Sequence, residues 1–291
     1  MAGVFILSLD TEIAWGTDPE RRARYADCFD NYRVIIRRLL DLLDAYQIPA
    51  TWAVVGHLFL KPGDPRSVSL PRQARWDWFH APDVIRAVAE APAGHEIGTH
   101  TFSHVCAGQV AHAEWESELR QCAALHREHR LPLRSLVFPR NQIAHLEALP
   151  AFGVTAYRGV EGHRRAERRG AAHLLHRALA IPPPTYALDR LRVGDRLVNL
   201  PASQFLLAYD GLRRLIPTAS RVRQARLGLD RAVQRGRLYH LWFHPFNLGT
   251  SNAMFYALEQ ILHEVDSRRR AGDLQVLTMG AAADWILAGR P

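Results

Sequence analysis

Seven short apolar runs separated by longer segments of helical period constrain this chain more than any other feature. The runs cover residues 4–9, 50–55, 96–98, 135–138, 155–157, 238–243 and 275–278. Between them, 31–46 places Val34, Ile35, Leu39, Leu42 and Leu43 at helical spacing, and 113–129 and 253–269 do the same with charged outer faces. Buried strands alternating with packing helices define an α/β fold with a largely parallel sheet. In such folds the polar residues just after each strand gather at the C-terminal edge of the sheet, where sites form.

The rhythm breaks between about 160 and 236, a stretch rich in arginine with prolines at 182, 183 and 184. Nothing there resembles a linker, so the expectation is a single domain over 1–291 with one long basic insertion at about 160–236. The formal charge of +8 is concentrated in 163–177 and 213–237. A solvated arginine-rich surface explains it most simply. A phosphate-bearing substrate or an anionic membrane surface would also use it. No nucleic-acid motif accompanies the charge, so no nucleic acid is expected. Three cysteines, Cys28, Cys106 and Cys122, without CxxC spacing suggest neither a disulfide framework nor a thiolate metal site. The opening MAGVFILSLD reads as a buried strand, and no run reaches the length of a membrane span. A cytoplasmic protein with no transmembrane segment is expected.

Four strand ends carry chemistry. Asp10 and Glu12 follow FILSL directly, two residues apart and so facing the same way. Such a pair alone also fits a solvated helix cap. GHEIGTHTFSH adds His100 and His104, whose spacing lets two imidazoles converge on one ion from a single helical turn; His95 and Cys106 read as structural. VFPRNQ brings Arg140, able to pair with Asp10 and lower its pKa, and Asn141, able to donate a hydrogen bond. LYHLWFHPFNLG ends a strand at His244, while His240 lies within the strand and reads as buried. Trp15, Phe102, Trp242 and Phe246 flank these motifs as core aromatics or sugar-stacking platforms.

In the order and spacing of these motifs the chain resembles the polysaccharide deacetylases, the NodB-homology carbohydrate esterases. It is similar to a cytoplasmic branch with a D-x-E first motif and an FPRNQ third motif. The resemblance implies a distorted (β/α)7-8 barrel of largely parallel strands. It implies Asp10 as catalytic base, Glu12, His100 and His104 as ligands of a divalent metal, and His244 as general acid. Arg140 would orient the base, with Asn141, Trp15, Trp242 and Phe246 against the substrate. The exchange of Asp10 and Glu12 stays open, and the acidic partner of His244 is unassigned. Zinc is the first expectation for the metal, with cobalt, nickel, manganese or iron as alternatives.

The implied reaction removes acetyl from an N-acetylated amino sugar: a nucleotide sugar, a lipid-linked saccharide or an amino-sugar metabolite. Two alternatives stand beside it: a metal-dependent amidase or esterase on a non-saccharide substrate, and an inactive carbohydrate-binding relative.

Overall fold

The computed structural model describes residues 2–67, 75–162 and 170–289, so residues 163–169 of the basic stretch lie outside the described residues. In chain order the strands are β1 (Gly3–Thr11), β2 (Thr51–Val54), β3 (Glu96–Thr99), β4 (Ser135–Leu136), β5 (Ala156–Tyr157) and β6 (Tyr186–Ala187). They continue with β7 (Arg192–Val193), β8 (Leu197–Asn199), β9 (Gln204–Phe205), β10 (Arg237–Phe243) and β11 (Leu274–Val276). The sheet runs β6-β10-β1-β2-β3-β4-β5-β8-β7, with β11 on β1 and β9 on β10. Among the described residues only β6–β10 and β7–β8 pair antiparallel.

The chain curls this sheet into a distorted barrel. β8 lies parallel to β5 at one end. A few residues later β9 lies parallel to β10 at the other, with Ser203 N–H donating to His240 O and Ala202 N–H to Gly159 O. The single stretch 197–205 therefore spans the two ends of the sheet. The barrel strands β8 and β9 come from the region expected to be an insertion, because runs of two or three residues are too short to show a period.

Strand parity sets the interior. On β1, Phe5, Leu7 and Leu9 pack outward against the main core that includes the helix Tyr32–Ala45. Val4 and Ile6 point the other way, into a smaller cluster with Ala53, Val137 and Val198, closed by Met279, Ala282, Ala283 and Ile286 of the last helix. The same inward row continues through Ser8 to Asp10, both buried. Apolar residues thus fill one end of the barrel and polar residues the other, the alternation expected of a strand with two faces.

The expected helices form as Tyr32–Ala45, His112–Glu128 and Asn252–Arg270. Val34 is not in the core as its spacing suggested: it is 66% exposed, since the buried stripe is Ile35, Ile36, Leu39, Leu40 and Leu43. No helix among the described residues is long and apolar enough to cross a membrane.

His95 lies at the far end of β3 from the polar residues. Its Nδ1 accepts a hydrogen bond from Ala50 N–H at 3.1 Å, and its ring packs against Trp52. Burial lowers its pKa to about 4. A group depressed on folding takes up protons more readily when unfolded, so this stability is complete above about pH 6.5 and is lost as pH falls through about 4. We expect His95→Gln to reduce the stability lost between pH 7 and pH 4 by about 3 kcal/mol, measured by urea unfolding. An unaltered pH profile would show that His95 does not carry this loss.

Candidate active site

Five strand ends, those of β1, β3, β4, β5 and β10, deliver the site. Asp10 lies within β1 next to its last residue, and Glu12 follows the strand on the same inward parity; both are buried. His104 Nε2 lies 3.0 Å and His100 Nε2 3.4 Å from the same oxygen, Glu12 Oε2. One ligand atom from each of Glu12, His100 and His104 falls within 4.8 Å of the others, a group able to hold a metal ion. His100 Nδ1 lies 2.8 Å from Val137 O, which can only accept, so this ring nitrogen carries the proton and Nε2 is left bare toward Glu12. A ring fixed through its far nitrogen is the usual support of a metal ligand.

The two histidines do not converge from a helical turn, as their spacing suggested. Residues 100–106 form an irregular loop with Thr101 at φ 63° and His104 at φ 62°. Backbone bonds from Gly56 N–H to Thr101 O and from His57 N–H to Phe102 O fix it, and the carboxylate of Glu118 accepts from Phe102 N–H, Ser103 N–H and Ser103 Oγ–H. Gly16 closes the loop 12–17 over His104. It has φ +69°, and a Cβ there would fall 2.1 Å from His104 Cε1, so only glycine fits.

Arg158 is the arginine on Asp10, and this corrects the expectation for Arg140. Arg158 Nη2 donates to Asp10 Oδ2 at 2.8 Å, while Nη1 donates to Oδ1 and to Ser8 Oγ. Both partners are buried, and Trp242 covers the guanidinium with its ring 4.0 Å away. Arg140 is exposed and reaches only Gly16 O, at 3.4 Å. The reason lies in the backbone: Arg140 and Asn141 take left-handed conformations, φ 54° and 53°, which turn the chain out along the rim. Arg158 instead immediately follows β5, so the strand-end rule that pointed to Asp10 and His244 also finds it. Asn141 Oδ1 accepts from Arg158 Nη2 at 3.4 Å.

His244 directly follows β10, with Nε2 3.3 Å from Glu12 Oε1 and 4.0 Å from Asp10 Oδ2. No described residue bonds its Nδ1, so no acidic partner is found on that nitrogen among them. Burial lowers the His244 pKa, opposed by Glu12 and Asp10. Burial raises the carboxyl pKa of Asp10, but Arg158, by charge and hydrogen bond, with His100 and His244, holds it below the ordinary value. Glu12 is likewise raised by burial and carried well below its usual value by His244, His100 and His104. His240 is buried between Leu200 O and Ser8 Oγ.

The aromatics divide. Trp242 lines the cleft. Trp15 is partly buried, its indole N–H donating to Phe79 O and its ring against His57. Phe246 and Phe102 are buried; Phe246 packs on Tyr25, Phe29 and His244, with no face open for a sugar ring. The cleft itself measures about 1070 Å³, with His244, Asn141 and Trp242 among its lining.

A polysaccharide deacetylase family model matches residues 21–136, a stretch that holds His100 and His104. Comparison with the curated proteins gives no match. Among solved structures, a Mycobacterium smegmatis protein assigned to the polysaccharide deacetylases has 20% identity and a TM-score of 0.68 over 99% of this chain and 91% of its own. A protein of Pseudomonas aeruginosa PAO1 assigned likewise has 12% identity and a TM-score of 0.66 over 99% and 92%. The PuuE allantoinase shares the fold to a similar degree, with 12% identity and a TM-score of 0.67 over 99% and 91%. The resemblance read from the motifs and the expected barrel are both borne out.

Removing one partner of a buried ion pair leaves the other charged and unsolvated. Arg158→Met should therefore cost about 3–5 kcal/mol in urea unfolding. Arg140→Ala, at the exposed rim, should stay within about 0.5 kcal/mol. The opposite ranking would place the structural pair elsewhere.

Proposed function

We propose that the chain is a metal-dependent N-deacetylase removing acetyl from an N-acetylated amino sugar in the cytoplasm. The observation that carries this reading is a division of labour between the two carboxylates. Asp10 is committed to Arg158, while Glu12 shares one oxygen with the two metal-type histidines.

Glu12, His100 and His104 would hold the ion, and neutral imidazoles with one carboxylate suit zinc and other divalent transition ions. Such an ion, when bound, lowers the pKa of a water and polarises an acyl carbonyl. Asp10 accepts the water's proton, kept ionised and oriented by Arg158. As the water oxygen bonds to the acetyl carbon, the proton passes through one further water across the 4.0 Å between Asp10 Oδ2 and His244 Nε2, and His244 gives it to the leaving nitrogen as the C–N bond breaks. Acetate and the free amine are the products.

The substrate side of the cleft is strongly basic. Arg24 pairs with Glu20, Arg177 with Glu161 and Arg213 with Asp210. Arg21 and Arg140 line the same cleft with no carboxylate within salt-bridge distance among the described residues. The exposed apolar side chains Leu212 and Val160 lie beside them. Two guanidiniums without a carboxylate partner among the described residues, next to exposed apolar groups, suit a saccharide carrying phosphate, with a lipid tail at the rim. A membrane-surface contact would follow from such a tail.

The test is acetate release from N-acetylated sugars with and without a phosphate, assayed with and without added zinc. We expect metal-dependent release, a loss of about 10²- to 10⁴-fold in His244→Ala, and a raised KM for the phosphorylated substrate in Arg21→Ala. Release from a non-saccharide amide alone would instead support an amidase acting on a non-saccharide substrate. Turnover unchanged in His244→Ala would remove His244 from the reaction.

A further inference from the structure

Away from the cleft, a second group of metal-type donors sits where the first turn of the helix His112–Glu128 meets the segment after Asn141. His112 Nδ1 lies 3.4 Å from His145 Nδ1 and 3.4 Å from Glu147 Oε1, and His145 Nδ1 lies 3.9 Å from that same oxygen. Donors on a tetrahedral zinc are roughly 3.3–3.4 Å apart for bonds of about 2.0–2.1 Å, so the spacing already approaches a coordination shell.

The far nitrogens show which lone pairs are free. His145 Nε2 lies 3.2 Å from Val110 O, and a carbonyl only accepts, so Nε2 carries the proton and Nδ1 is bare. His112 has a carboxylate 3.4 Å from each ring nitrogen, Glu116 beside Nε2 and Glu147 beside Nδ1, so either nitrogen can carry its proton. When His112 carries its proton on Nε2 toward Glu116, two imidazole lone pairs and a carboxylate oxygen face one another, a donor set that a cation would join. Support of each ring through its far nitrogen, by a carbonyl or a carboxylate, is how metal-bound histidines are commonly held.

We propose that His112, His145 and Glu147 form a second site for a divalent transition ion of the zinc class. The ion would be structural. It joins the start of the helix to the segment carrying Arg140 and Asn141, the latter touching Arg158. The carboxylates of Glu116 and Glu147 offset the unfavourable placement of a cation at a helix N-terminus. His145 takes φ 52°, a left-handed conformation that aims its ring at His112.

The inference stands apart from the deacetylase reading, and zinc binding to the full chain tests both separately. Calorimetric titration and metal analysis should give two equivalents for the wild type and one for both His145→Asn and Glu147→Gln. Asparagine tolerates the left-handed backbone, and Glu147 is 69% exposed, so neither variant threatens folding. Zinc should also raise the unfolding temperature less in these variants than in the wild type. Glu12→Gln should lose the other equivalent; if it does not, the active-site assignment fails while this one stands. Zinc stoichiometry unchanged by His145→Asn and Glu147→Gln overturns the proposal. So does a zinc-induced rise in unfolding temperature that is the same in both variants as in the wild type.

Discussion

The buried pair between Arg158 and Asp10 is the interaction on which the rest of the site depends. Two charges taken out of water are tolerated only when each satisfies the other with good geometry. Here the fork of the guanidinium spans both carboxylate oxygens, Ser8 Oγ accepts a further bond, and Trp242 seals the outer face. The consequence is chemical as well as structural. With Asp10 occupied, Glu12 is the carboxylate that His100 and His104 approach, so the two acids are separated in role although only Thr11 lies between them in the chain.

That separation is built by simple rules of backbone geometry. Parity along β1 sends Val4 and Ile6 into the closed end of the barrel and Ser8 and Asp10 toward its mouth. Parallel pairing then aligns neighbouring strand ends, with Ser8 opposite Trp242 on β10 and opposite Thr51 on β2. The loops supply the remainder. The left-handed residues Thr101 and His104, and the glycine at position 16, bring the imidazoles onto Glu12 in a way no regular element would.

Much of this was legible in the sequence, because strand runs ending in polar residues have a direct structural meaning. Asp10, Glu12, His100, His104 and His244 are all brought together. What the sequence concealed has identifiable causes. Arg140 and Arg158 both follow strands, and only the two left-handed residues at 140 and 141 decide which one turns inward. Two- and three-residue strands such as β8 and β9 carry no readable period, so barrel strands were hidden in a basic stretch that looked like an excursion. Phe246 and Trp242 sit on either side of His244 with similar local sequence, and one is buried while the other lines the cleft. The packing partners Tyr25 and Phe29, far away in the chain, make that difference. The pairing of His112 with His145 is equally a product of the fold, since the two are distant in sequence and share no motif.

The central claim is that Asp10 stays with Arg158 while Glu12 holds the metal. Anomalous diffraction from a crystal of the zinc-bound chain tests it most directly. The account predicts an ion bonded to Glu12, His100 and His104 at about 2.0–2.2 Å, with Asp10 outside the shell and still bridged to Arg158. An ion bonded to Asp10, with Arg158 detached and Glu12 outside the shell, would contradict it.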